Sequence, residues 1–409
     1  MQLPTDGMPL EALLGRMRER KAADADWRGG RTWSLVYPAG EDVDEVLQAA
    51  HELYLYENAL NPRRFPSVRT MEEEVVAMTA GLLHAGSDAA GAMTSGGTES
   101  ILMAAKTARE RARAERGVER PRMLVPWSAH PAFAKAAHYL GIELVQVPLD
   151  AGHRARVDAA AELLDDDTVL VVGSAPCYPF GVVDPIPELA ALAASRGIAF
   201  HTDACLGGFM LPFLERLGEP VPPWDFRVPG VSTLSADVHK YGYATKGASV
   251  ILHREGRHLR EHQLFLWDRW PGGLYGSFAM AGARAAAPIA AAWAVMHHLG
   301  EEGYLRLARC VRDTTRRLRE GIAAIPPLAV LGDPVMGVLA FGSDAIDAAA
   351  VCAAMDARGW HLDRQQGPDA LHLMVSPIHA RVVEEFLADL REAVAQPGED
   401  RAAAPARYS

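Results

Sequence analysis

From residue 122 onward the apolar positions fall into short runs separated by stretches with helical periodicity. The runs at 123–125, 143–147, 168–173, 197–202, 231–234 and 248–252 have strand length and are bounded by turn-forming residues. Between them, 131–140, 158–164 and 187–195 read as helices, the first stopped by Gly141 and the third by Gly197. Strand and helix alternating at this spacing predict a mostly parallel sheet with helices on both faces. Farther along, 282–320 is long and Ala-rich and predicts helices joining two domains. Segments 329–341, 344–358, 360–364, 371–375 and 379–394 then predict a smaller α+β unit.

Upstream the pattern is looser. Residues 10–20 are helical in period but heavily charged, and 41–56 read as a second helix. Trp27, Trp33, Tyr37, Tyr54 and Tyr56 follow no closed period. An aromatic-rich arm without a core of its own is expected to pack on something larger, such as a second subunit. Residues 58–65 read as a loop by their Asn-Pro step and charge. Thr70-Met71-Glu72-Glu73 reads as a capping box opening a helix to about 84, and 99–116 as an amphipathic helix. The expected layout is an arm at 1–57, a large domain at 58–290, a small domain at 291–395 and a disordered tail at 396–409.

Composition narrows the class without naming it. With 409 residues, 49% apolar and 23% charged, the chain can bury a large core like an ordinary soluble protein. Its net charge of -11 disfavours nucleic acid or anionic membrane as the main partner. No leader pattern and no run of roughly 18 apolar residues appears, so a cytoplasmic protein without a transmembrane segment is expected. Cys177, Cys205, Cys310 and Cys352 form no CxxC pair, which suggests neither a zinc site nor a disulfide framework. No histidine pair has metal-ligand spacing, and no metal is expected.

Three separated stretches carry the chemistry. Thr94-Ser95-Gly96-Gly97-Thr98 is a Gly-rich turn running into a helix, whose N-terminal amides suit a phosphate. An apolar strand ends at Asp203, and His239-Lys240 lies in a turn between two apolar runs. Alone, each has a bland alternative: a helix cap, a turn aspartate, a lysine stem lying along apolar surface. In this order they are the parts that hold pyridoxal phosphate. Gly97 and Thr98 cradle the phosphate, Asp203 keeps the pyridine nitrogen protonated, and Lys240 forms the Schiff base. Burial is expected to press the lysine toward its neutral, nucleophilic form.

The segments TSGGTESILMAAK, SAHPAFAKAAHYLG, HTDACLGGFMLPF, SADVHKYGYATKGAS and GGLYGSFAMAGAR resemble the sphingosine-1-phosphate lyase family, within the group II decarboxylase-like pyridoxal phosphate enzymes. That resemblance implies fold type I: an α/β large domain with a mostly parallel, seven-stranded-type sheet and a smaller α+β C-terminal domain. It also implies a homodimer with shared active sites. His130 is then expected to stack on the cofactor ring, His239 to contact its phosphate, and Ser277 to reach it from the second subunit. Lys246 and Tyr37 match the family's substrate-phosphate site, and Tyr275 is a further candidate. The implied reaction is retro-aldol cleavage of a phosphorylated long-chain amino alcohol to a fatty aldehyde and phosphoethanolamine.

The substrate residues depart from the family where the cofactor residues do not. Asn61 stands where the family has a histidine at the substrate phosphate, with Arg63 and Arg64 beside it, and Phe180 replaces another histidine. An arginine there can take over the phosphate or clamp a carboxylate. A pyridoxal-phosphate-dependent L-amino-acid decarboxylase therefore stays open as an alternative. A non-catalytic scaffold is the third reading, and the intact Lys240 and Asp203 argue against it.

Overall fold

The computed structural model describes residues 1–397; residues 398–409, the bulk of the expected disordered tail, lie outside the described residues. In chain order come α1 (Leu10–Lys21), α2 (Glu41–Leu53), α3 (Pro66–Leu82), β1 (Ala90–Thr94), α4 (Gly97–Arg116), β2 (Arg122–Pro126), α5 (Ala132–Leu140) and β3 (Glu143–Val147). They are followed by α6 (Val157–Leu163), β4 (Thr168–Ser174), α7 (Ile186–Ser195), β5 (Ala199–Asp203), α8 (Leu211–Arg216), β6 (Thr233–Ala236) and β7 (Ser249–His253). The seven strands make one sheet in the order β1-β7-β6-β5-β4-β2-β3. β2 to β6 run parallel to one another, and β7 is antiparallel to both β6 and β1. Every residue of β4 and of β5 is buried, as continuous apolar runs covered on both faces should be.

A hairpin, β8 (Phe265–Trp267) with β9 (Tyr275–Ser277), follows the short helix α9 (Gly256–His258). Helix α10 (Ala287–Ala323) then runs on to the second sheet, broken at Gly300, whose φ of 53° is left-handed. That sheet is antiparallel, in the order β10 (Ala329–Val330), β11 (Val338–Gly342), β13 (Ala370–Met374), β12 (Asp363–Gln365). Helices α11 (Ala348–Asp356) and α12 (Val383–Ala395) pack on one another beside it. Asp347 caps α11 by accepting from the amides of Ala349 and Ala350.

Several expectations are corrected here. There is no capping box at Thr70: α3 starts a turn earlier, with Pro66 in its first turn, and the Thr70 hydroxyl donates to the Pro66 carbonyl. β1 has no place in the sequence pattern because Ala-Gly-Ala-Met-Thr lacks a β-rich signal. It forms at the sheet edge because Gly91 lets the backbones close up; a Cβ there would sit 2.4 Å from the Ile251 carbonyl oxygen. The aromatic arm divides. Trp33 is fully buried, stacked on His379 at 4.1 Å and packed on Phe386 at 4.6 Å, so it belongs to the core of the second sheet of its own chain. Helix α1, by contrast, buries none of its residues within the chain.

Candidate active site

The strands β4, β5 and β6 end side by side, and the cavity lies beyond their carboxyl ends, where open α/β sheets bind ligands. Its volume is about 300 Å³. Asp203 closes β5 and is buried; its Oδ1 accepts from the Cys205 amide at 3.1 Å and from the Ser235 hydroxyl at 3.4 Å. Behind it the buried His201 bonds Thr233 Oγ1 at 2.8 Å and Ser235 Oγ at 3.1 Å. Burial holds that imidazole neutral, with its pKa lowered to about 4 despite Asp203. The carboxylate is therefore fixed from two sides by groups that are themselves fixed.

The Gly-rich turn supplies the opposite wall. Glu99 accepts from both the amide and the hydroxyl of Ser95, at 2.7 and 2.6 Å, and from the amide of Met280 at 2.6 Å. That grip sets the entry to α4, whose first amides belong to Gly97 and Thr98 and face the cavity with the positive end of a 20-residue helix. Gly97 is required there: a Cβ would sit 2.7 Å from Asp237 Oδ2 and 2.8 Å from Cys205 Sγ.

Lys240 reaches into the same space with its Nζ 3.0 Å from Asp237 Oδ2, and His239 Nε2 lies 3.6 Å from that oxygen. The lysine is thus paired with a carboxylate, where the sequence suggests an amine pressed toward its neutral form by burial. Burial alone would raise the Asp237 carboxyl, but Lys240 and His239 hold it below its ordinary range. His239 is lowered to about 4, first by burial. Its Nδ1 accepts from the Ala248 amide at 3.3 Å, which leaves the proton on Nε2, facing Asp237. His130 is pinned likewise, Nδ1 accepting from the Ala132 amide at 3.1 Å, and burial keeps it neutral. The loop that carries Lys240 is anchored by Tyr241, whose hydroxyl lies 3.2 Å from the Gly337 carbonyl oxygen and 3.0 Å from that of Val375.

An amine, a fixed carboxylate, a helix N-terminus and a neutral imidazole around one such cavity fit pyridoxal phosphate. The pyridoxal-dependent decarboxylase conserved domain matches residues 34–343. The Arabidopsis thaliana sphingosine-1-phosphate lyase is 44% identical over 97% of this chain and 74% of its own length. That of Rattus norvegicus is 41% identical over 96% of this chain and 70% of its own. A sphingosine-1-phosphate lyase structure from Burkholderia pseudomallei superposes with a TM-score of 0.94 at 43% identity, covering 97% of this chain and 93% of that one. The chain belongs to the sphingosine-1-phosphate lyase family. Its cofactor is accordingly pyridoxal phosphate. The Lactobacillus brevis glutamate decarboxylase, at 20% identity with a TM-score of 0.84 over 99% of this chain and 96% of that one, shares the fold.

Within this family member the expected substrate residues are scattered. Lys246 donates to the His239 carbonyl at 3.3 Å and lies 4.7 Å from the centre of the Tyr37 ring, so these two meet beside the cavity. Desolvation, then the charge of Lys240, lowers the Lys246 ammonium to about 8; the side chain is exposed, so solvent screens part of this. Asn61, Arg63, Tyr275 and Ser277 do not line the Lys240 cavity. Asn61 caps its own turn, Oδ1 accepting from the amides of Arg63 at 3.1 Å and Arg64 at 3.2 Å. Ser277 donates within its own loop, to Ala281 at 2.9 Å, and lines a separate cleft of about 540 Å³ with Leu60, Pro62 and Phe65. Phe180 does not line the Lys240 cavity: it is buried and stacks on His153 at 4.1 Å.

Among the polar residues that line the cavity, Asp237, Glu99, Ser174 and Tyr178 have no assigned role in the sequence pattern. Asp237 stands three before Lys240 and Glu99 three after Gly96, so the turn spacing carries a local signal for both. Ser174 and Tyr178 carry no local signal. The Tyr178 hydroxyl donates to Asp363 at 2.8 Å, and its ring stacks on His372 at 4.3 Å. Both partners come from the second sheet.

Proposed function

We propose that this chain cleaves the C2–C3 bond of a phosphorylated long-chain amino alcohol of the sphingosine-1-phosphate type, giving a fatty aldehyde and phosphoethanolamine. The observation that carries this reading is the convergence of Lys240, Asp203, His130 and the α4 N-terminus on one cavity, in a chain 41–44% identical to named sphingosine-1-phosphate lyases. When bound, pyridoxal phosphate supplies an electron sink conjugated to the substrate's amino carbon. Gly97, Thr98 and His239 would hold its phosphate, and His130 would lie against its ring face. Asp203 would hold the proton on the ring nitrogen, and Lys240 would supply the amine that anchors the aldehyde. Lys240 would also be placed to move a proton at the substrate's amino carbon. Lys246, with its ammonium lowered to about 8, either pairs with the substrate phosphate or takes the hydroxyl proton as C2–C3 breaks and the C3 carbonyl forms. C2 then takes up a proton.

Tyr37 completes the proposed substrate site from the same chain, and Asn61, Arg63, Tyr275 and Ser277, which lie outside its own cavity, would enter it from a second copy. The β8–β9 hairpin supports that sharing: Phe265, Trp267, Trp270 and Leu274 stand exposed on a single chain, as residues covered by a partner would. Mixing a Lys240→Ala chain with a Ser277→Ala chain should restore activity that neither variant has alone; no restoration means the sites are not shared. No helix among the described residues is long and apolar enough to cross a membrane. The proposed setting is cytoplasmic sphingolipid turnover.

The deciding experiment supplies the holoenzyme with sphinganine-1-phosphate and measures phosphoethanolamine and aldehyde, with Lys240→Ala as the inactive control. Carbon dioxide release from an amino acid, with every phosphorylated amino alcohol left untouched, would establish the decarboxylase alternative instead.

A further inference from the structure

Glu99 uses its two carboxylate oxygens on two different segments of the chain. Oε2 accepts from the amide and the hydroxyl of Ser95, in the turn that opens α4 onto the Lys240 cavity. Oε1 accepts from the amide of Met280, 181 residues away in sequence, at 2.6 Å. Glu99 is 8% exposed, so both grips are made away from water, where bonds to a charged acceptor are strong. Met280 lies in the loop that follows Ser277 at the end of β9. The Ser277 hydroxyl closes that loop on itself, donating to the Ala281 carbonyl at 2.9 Å and accepting from the Ala279 amide at 3.2 Å. Its apolar side chains Phe278 and Met280 stand exposed. The strand that feeds the Ser95 turn is tied to the same region. Arg284 donates to the Met93 carbonyl at 3.2 Å and pairs with Glu72 at 2.8 Å, and Glu72 accepts from the Met93 amide at 3.3 Å.

We propose that Glu99 is a positioning residue that couples the two sites of a dimer. It fastens the 277–282 loop, which enters the partner's cavity, to the turn that holds the cofactor phosphate in its own. This coupling rests on the shared-site reading given under the proposed function. With phosphate seated on the Gly97 and Thr98 amides the turn is held still, and Glu99 passes that order to the Met280 amide. The loop offered to the second copy is then best ordered when its own chain carries cofactor. By linkage, docking of the loop in the partner's cavity tightens cofactor binding at the turn behind it.

Hybrid dimers, isolated through a different tag on each chain, provide the test. One chain is wild type and the other carries Lys240→Ala, so turnover comes from the cavity of the wild-type chain. Each further variant is placed on the Lys240→Ala chain, with pyridoxal phosphate saturating. Glu99→Ala there should lower turnover about tenfold, although the working cavity's own chain is untouched. Met280→Pro, which removes the amide donor and leaves the Ser95 grip alone, should do the same and serves if Glu99→Ala does not fold. Hydrogen exchange gives a readout without turnover: in the wild-type dimer, cofactor should slow exchange across 277–282 about tenfold, and Glu99→Ala should erase that difference. Ser277→Ala on the Lys240→Ala chain controls for site sharing. If it slows the working cavity while Glu99→Ala and Met280→Pro do not, the sites are shared and the coupling is refuted. If it has no effect either, the shared-site reading fails and the coupling falls with it. Exchange in the loop that ignores cofactor would also overturn the coupling.

Discussion

At the scale of single residues, the site separates groups that hold charge from groups kept neutral. In the proposed mechanism Asp203 faces the cofactor's pyridinium, and an amide in its place keeps the shape while losing the charge. Asp203→Asn should retain cofactor but lose ~2–4 kcal/mol of stabilisation, roughly 30- to 1000-fold in turnover rate. Near-normal turnover would remove the electron-sink role. Lys246 sits close to its own titration in the working range. If its ammonium pairs with the substrate phosphate, KM should rise as pH climbs through about 8, the direction in which the charge is lost. Lys246→Ala should raise KM about tenfold and flatten that dependence, by loss of a charge-assisted bond. A fall in kcat with KM unchanged would assign Lys246 to proton transfer instead.

Among elements, the start of α4 shows how one helix end is turned onto a cavity. Its amides face the cavity because Glu99 locks the turn from below and Gly97 leaves no Cβ over Asp237 and Cys205. Gly97→Ala should therefore expel cofactor while the fold persists, since only the cavity side is crowded. The expected outcome is a chain with wild-type far-ultraviolet dichroism and at least tenfold weaker pyridoxal phosphate binding. Equal affinity would show that the cradle lies elsewhere. The sequence made this helix and its glycines legible because turn chemistry is local. It gave no hint of β1, whose pairing with β7 rests on a close backbone approach that no periodicity reports.

For the whole molecule, acid should be the weak flank. His201, His253 and His379 are buried, each bonded in neutral form and each lowered to about 4 chiefly by desolvation. Unfolding frees them to bind protons below about 6.5, while the folded chain refuses those protons until about pH 4. Their contribution to stability is thus intact above pH 6.5 and is lost as pH falls from there. Each site weakens the fold by about 1.4 kcal/mol per pH unit across that window. A melting temperature that falls steeply between pH 6.5 and 4.5 is expected, and His379→Gln should lessen the slope. A flat profile would mean that these rings accept protons in place.

What the sequence by itself determined is whatever is written within one strand, helix or turn. The β–α alternation, the strand-end carboxylate at Asp203, the Gly-rich turn at Gly97 and the lysine at 240 are all of this kind, since their signals span a few residues. The tertiary structure alone decided which distant side chains meet. It put Ser174 beside Asp203 through strand register, and it tied Tyr178 to Asp363 across 185 residues. It moved Phe180 into the core against His153, and it left Asn61 and Ser277 beside a different cleft. Register and packing are set by pairings between remote segments, and those energies leave no periodic trace along the chain.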